Sequence, residues 1–164
     1  MTNELEFTKS GIRWTLVRRS KARSIIKEAL ATAKRLEEGT QQRFGVRKAF
    51  DKNGKPVCAF GCVLAASYVC DETMVKNFLK KSEEKKEEGI HFIDQFPLEG
   101  NVGAFAFSLN VRDEDIYPSD IEDALSMIEY ANDKTKDSWE RRRKKIANAL
   151  RHFAEVLKKD AGLV

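Results

Sequence analysis

The pattern of apolar and polar positions divides the chain into alternating and helical stretches. Between Ser20 and Glu38, residues Ile25, Ile26, Ala29, Leu30, Ala33 and Leu36 recur at spacings of three and four, which puts them on one face of a helix. Ser20 is a candidate N-cap, and Gly39 fits the position just past a helix C-terminus. Upstream, Leu5 and Phe7, a turn at Lys9 to Gly11, and then Ile12, Trp14 and Leu16 alternate as a β-hairpin does. Downstream, Ile90 to Phe96 and Val102 to Val111 read as strands, the second alternating through Phe105, Phe107, Leu109 and Val111. Ser119 with Glu122 forms a capping box that opens a helix with Ile121, Leu125 and Ile128 inward. Asp137, with Glu140 three residues on, is a candidate cap for a last helix carrying Trp139, Ile146, Ala149, Leu150, Phe153 and Leu157 on its apolar face.

The centre of the chain departs from both periods. Asn53-Gly54 is a turn signal and Pro56 holds the backbone extended. From Cys58 to Val69 nearly every residue is small or apolar and none is charged. That run is too short to span a bilayer, so it predicts a helix buried on most sides. Residues 40–57 are turn-rich, with a short extended piece expected around Phe44 to Phe50. A further helix is expected after Asp71, with Met74, Val75, Phe78 and Leu79 inward, and the run Lys80 to Glu88 has no apolar residue. The expected class is α+β: a mostly helical single domain over residues 1–164 with a small antiparallel sheet or hairpins.

Composition narrows the setting. Three cysteines, an odd number, argue against a disulfide framework and fit a reducing cytoplasm. The opening Met1 to Glu6 lacks a basic region followed by an apolar one, so no secretory signal is expected, and no stretch is apolar enough for a membrane span. The expected location is the cytoplasm, or the host cytoplasm if the gene is carried by a phage. The net charge of +4 conceals an asymmetry, because residues 8–27 hold seven basic side chains and no acidic one. The last helix adds Arg141 to Lys145, Arg151, Lys158 and Lys159, whereas Glu83 to Asp123 is strongly acidic. Such a chain neutralises itself on folding or offers basic faces to an anionic partner.

Two short signatures stand out: Gly54-Lys55-Pro56-Val57-Cys58-Ala59-Phe60-Gly61-Cys62-Val63-Leu64, and Ile128-Glu129-Tyr130-Ala131-Asn132-Asp133 ahead of a helix. Together they resemble the bacterial and phage family called domain of unknown function 6197, through its C-A-x-G and N-D signatures. The resemblance covers roughly residues 22–155; Cys62 stands where a small alanine is usual, and Tyr130-Ala131 replaces an aromatic directly before Asn-Asp. It implies no activity. It directs attention to Cys58, Gly61, Asn132 and Asp133 as ligand-binding positions, and to an origin in phage or bacteria.

Read for chemistry, Cys58 lies near a helix N-terminus, where the dipole favours thiolate. A cysteine hydrolase would combine it with His91 or His152 and with Asn132 or Asp133 as orienting group; a small buried hydrophobe is the commoner role of a free cysteine. A zinc site from Cys58, Cys62, Cys70 and His91 lacks the close C-x-x-C knuckle, so neither metal nor cofactor is expected. Asn132 and Asp133 suit a helix cap and turn, the commoner role for these residues, and as ligand groups would suit ribose or base edges. Arg18, Arg19, Arg23, Arg142 and Lys145, the last two placed on an outward face, can track a phosphate backbone. No phosphate loop, zinc-protease, hydrolase or dinucleotide signature is present. The reading that follows is a non-enzymatic accessory protein that binds a small anionic ligand or a host protein, with antagonism of host defence as one form of it. The alternatives are nucleic-acid binding through the basic helices and cysteine-dependent hydrolysis at Cys58.

Overall fold

A computed structural model describes residues 16–46, 51, 53, 55–68 and 119–163. These residues form four helices, α1 (Leu16–Glu38), α2 (Ala59–Tyr68), α3 (Ser119–Asn132) and α4 (Trp139–Asp160). α1 packs on α4, α4 on α3, α3 on α2, and α2 back on α1, closing a ring of neighbours. The core runs through this ring: Ile25, Ala29, Ala33 and Leu36 of α1, Ala59, Phe60 and Val63 of α2, Ile121, Leu125 and Ile128 of α3, and Ile146, Leu150, Phe153 and Leu157 of α4. None of the four is long and apolar enough to cross a membrane.

The expected α+β class is overturned, because the described residues hold helices and no strand. Of the extended piece expected from Phe44 to Phe50, residues 47–50 lie outside the described residues; Gly45 N bonds Val57 O at 2.8 Å and Asp51 N bonds Lys55 O at 2.8 Å. Phe44 is buried with its ring edge-on to Trp139, the centroids 6.0 Å apart, and the Asp51 carboxylate accepts from the N–H groups of Asn53 and Lys55. The strands read at 90–96 and 102–111, the helix after Asp71 and nearly all of the N-terminal hairpin fall outside the described residues. Leu16, its last alternating position, is helical: nothing in Leu16 to Arg19 breaks a helix, and a formed nucleus propagates through good helix formers. Ser20 therefore lies inside α1 and does not cap it.

α1 and α4 run antiparallel, and both end in the same way. Gly39 takes φ +77° and Gly162 φ +67°, left-handed values that favour glycine. At α1, Thr40 N bonds Arg35 O and Gly39 N bonds Leu36 O; at α4, Leu163 N bonds Lys158 O and Gly162 N bonds Lys159 O. This is the Schellman arrangement twice over. Each end is also clasped by an arginine of the other helix. Arg143 donates to Leu36 O and Glu37 O, and Arg19 donates through Nε to Ala161 O at 3.1 Å. Both cations sit at helix C-termini, where unpaired carbonyls and the dipole favour positive charge.

α4 starts one residue later than its sequence suggests. Ser138, rather than Asp137, is the N-cap, accepting from Arg141 N at 3.2 Å, and Asp137 pairs with Lys145 at 2.8 Å. The larger surprise on α4 is Arg142. Expected to face outward, it is only 1% exposed, folded over the Trp139 ring at 5.1 Å and donating through Nη2 to Phe44 O at 2.9 Å.

Candidate functional site

The residues flagged by the two signatures meet where α3 ends and α2 begins. α2 opens with backbone N–H groups that need acceptors. Cys58 supplies one, its Sγ accepting from Gly61 N at 3.2 Å, the geometry of an N-cap. Asn132, at the last turn of α3, supplies another: its Oδ1 accepts from Ala59 N at 3.2 Å. The same side chain donates through Nδ2 to Gly45 O at 2.9 Å and to Asp133 Oδ1 at 3.0 Å. Asn132 is 2% exposed, so it links three segments from inside the protein. Its partners use donor and acceptor at once, which a carboxylate or an aliphatic side chain in its place could not do. Gly61 is buried on α2 beside this junction.

Cys58 lies at a helix N-terminus as expected, but its chemistry goes the other way. The thiol is 6% exposed, and burial pushes its pKa up to about 11, with the Asp133 and Glu129 carboxylates adding to the rise. Desolvation of the thiolate outweighs the backbone N–H groups that favour it. Cys62, one turn on, is buried too and pushed up to about 12, again chiefly by burial. His152 is exposed on α4. His91 and Cys70 lie outside the described residues, and among the described residues no three metal-ligating side chains gather. The geometry around Cys58 is that of a protonated structural thiol.

The open surface of this junction belongs to the other face of α3. Asp133, Lys134, Thr135 and Lys136 of the α3–α4 loop, with Glu129 and Tyr130 of α3, line a groove of about 680 Å³. The loop is held by its own backbone, Asp133 N bonding Glu129 O and Asp137 N bonding Lys134 O. Tyr130 is 69% exposed, and Lys134 Nζ rests 5.3 Å from its ring centroid. Partial burial and the nearby Asp133 carboxylate hold the Glu129 carboxyl above its ordinary range. With Ser126 also in the lining, the groove combines an aromatic face, two ammonium groups, the Ser126 and Thr135 hydroxyls and two carboxylates along the end of α3 and the loop after it.

Of the expected ligand positions, Asp133 lines this groove, whereas Asn132, Cys58 and Gly61 are buried at the α2–α3 junction and do not line it. Glu129, Tyr130, Lys134, Thr135 and Lys136 went unflagged. The spacing of Glu129 and Asp133, one turn apart, and the outward register of Tyr130 between inward Ile128 and Ala131 were the available signals.

The basic positions proposed for nucleic acid do not form one face. Arg142 is buried, Arg19 is bound to Ala161 O, and Lys145 is paired with Asp137. Arg143 is held by α1 carbonyls and Glu140, and Arg151 by Glu37. Arg23 is exposed, and the Arg18 side chain lies outside the described set. The outward placement of Arg142 is thus corrected: on α4 it follows Trp139 and precedes Ile146 at helical spacing, and its aliphatic stem packs inward along that stripe.

No family model, curated protein or solved structure matches the chain. The resemblance to domain of unknown function 6197 rests on the two short signatures alone.

Proposed function

We propose that the protein acts by binding, and that the groove at the α3–α4 loop takes a small anionic ligand of the nucleotide type. The observation that carries this reading is the exposed Tyr130 ring with Lys134, Thr135 and Lys136 beside it. A base stacks on an aromatic face irrespective of its identity. Lysine ammonium groups meet phosphate as point charges, and the threonine hydroxyl both donates and accepts. Glu129 and Asp133 offer acceptors to ribose hydroxyls or exocyclic amines. The groove volume of 680 Å³ falls within the range of about 300–1,000 Å³ typical of small-ligand sites. Cys58, Asn132 and Gly61 then serve the site by fixing the end of α3 against α2.

Catalysis through Cys58 fits this surface poorly, because a buried thiol raised to about 11 is a weak nucleophile at neutral pH. Nucleic-acid tracking along α1 and α4 is weakened likewise, since most of their basic groups are committed inside the protein.

The test is calorimetric titration with ATP, GTP, CTP, UTP, their monophosphates and inorganic phosphate, beside native mass spectrometry of the purified protein for a retained ligand. At least one nucleotide is expected to bind, with affinity falling about tenfold in Tyr130→Ala and in the Lys134→Ala/Lys136→Ala pair. Absence of binding across the panel, or binding indifferent to these substitutions, overturns the proposal.

A further inference from the structure

A second groove, of about 400 Å³, lies between α1 and the end of α4 and shares no lining residue with the first. Its floor is apolar: Ile26 and Leu30 of α1, one turn apart, with Leu163 after α4. Periodicity alone assigns Ile26 and Leu30 to the buried face of α1. In the folded protein that face is wider than the core it meets. Ile25, Ala29, Ala33 and Leu36 fill the contact, whereas Leu30 remains 38% exposed and Ile26 is partly so.

The rim is cationic. Arg23 and Lys27 of α1 and Lys158 of α4 border the floor, against the single carboxylate of Glu155. Most neighbours of these three cations, though not Lys159, are committed within the protein. Along the same two helices Arg19, Arg35, Arg142, Arg143, Lys144, Lys145 and Arg151 each have a hydrogen-bond or ion-pair partner in the protein. Arg23, Lys27 and Lys158 have none among the described residues. Among the described residues, positive charge therefore outnumbers negative around a partly exposed apolar strip.

We infer that the groove between α1 and α4 is a docking surface for an acidic, amphipathic helix of a partner protein. An apolar floor bounded by two antiparallel helices accepts side chains presented at helical spacing by a third helix. Three cations on its border select flanking aspartate and glutamate and repel basic segments. The same charge argues against a second copy of this chain, since self-association would place Arg23, Lys27 and Lys158 against their own duplicates. The concave apolar floor argues against nucleic acid, whose backbone needs cations and gains nothing from Leu30. This surface is separate from the α3–α4 loop, so its occupancy does not depend on the nucleotide reading.

The experiment is selection from a displayed library of random peptides against the full chain, followed by fluorescence anisotropy of the selected peptides. The expected consensus has apolar residues at i, i+3 and i+4 flanked by Asp or Glu. Binding is expected to weaken with salt and to fall about tenfold or more in Lys27→Glu/Lys158→Glu and in Leu30→Asp. Lys27→Arg/Lys158→Arg is expected to keep binding, and Leu30→Ala stands beside Leu30→Asp as the milder change; circular dichroism melts establish that each variant is folded. A consensus that is not acidic, or affinity unchanged by these substitutions, overturns the inference. So does dimerisation abolished by the same substitutions, or their effect appearing only on anionic vesicles or oligoribonucleotides.

Discussion

Cys58 shows how position along a helix and depth inside a protein compete for one side chain. The helix N-terminus lowers a thiol's pKa only where the thiolate keeps some solvation. Here the sulfur is buried, accepts from Gly61 N and faces two carboxylates, and the result is a pKa of about 11. Sequence could place Cys58 at the start of α2, because Pro56 and the uncharged run after it mark that boundary. It could not say which side of the helix end faces water, since that depends on α3 packing over it. The expected behaviour follows directly. In native protein, Cys58 and Cys62 should resist alkylation by iodoacetamide at about pH 8, where an unperturbed thiol is partly ionised, and should react promptly after denaturation. Peptide mapping of the alkylated sites checks this. Cys58→Ser should keep most of the stability because serine is itself a favoured N-cap, whereas Cys58→Ala should lose about 1 kcal/mol. Rapid native alkylation of Cys58 would restore the case for a reactive thiol.

At the scale of elements, the helices were legible wherever their apolar stripe was unbroken. The interior positions read for α3 and α4, such as Leu125, Ile128, Leu150 and Phe153, are buried as their spacing demands. What escaped was the use of arginine. A run such as Arg141-Arg142-Arg143 reads as a solvated face, yet its three members do three different things: Arg141 is exposed, Arg142 is buried against the Trp139 ring, and Arg143 reaches across to the end of α1. Long side chains have this freedom, and only the neighbouring helix determines how it is used. The crossed clasp of Arg143 on α1 and Arg19 on α4 fixes the two helices antiparallel and in register. Arg143→Met should therefore destabilise more than Arg141→Met, because it removes the bonds that the guanidinium makes to the Leu36 and Glu37 carbonyls, leaving Leu36 O with Gly39 N alone. Gly39→Ala should cost about 1–2 kcal/mol through φ alone, since the Arg143 guanidinium lies at an ordinary 3.8 Å from where a Cβ would stand. Urea melts of the three variants order these effects. Equal losses for Arg141→Met and Arg143→Met would remove the clasp from the account.

At the scale of the molecule, the carboxylates of the described residues behave in two ways. One set closes internal pairs: Glu37 with Arg151, Glu140 with Arg143 and Asp137 with Lys145. Hydrogen bonds from these cations hold all three carboxyls below their ordinary range. A carboxylate with a lowered pKa in the folded state stabilises above its unfolded pKa, and that contribution disappears as pH falls through the folded value. Glu129 has the opposite sign. Burial and the Asp133 carboxylate raise it, so the folded state holds its proton more tightly and loses stability as pH rises through the range between the unfolded and folded values. Stability should thus decline on acidification below about pH 4, where free carboxyls titrate, and the pairs should set the steepness. Substituting Glu37→Gln, Asp137→Asn and Glu140→Gln together should lower stability at pH 7 and flatten its acid dependence. Glu129→Gln should raise stability at pH 7 and leave it unchanged at about pH 3, where the wild-type group is already neutral. Chemical denaturation across pH separates the two behaviours. Since Glu129 also lines the α3–α4 groove, a stability gain in Glu129→Gln would show that its charge there costs the fold stability, through partial burial beside the Asp133 carboxylate.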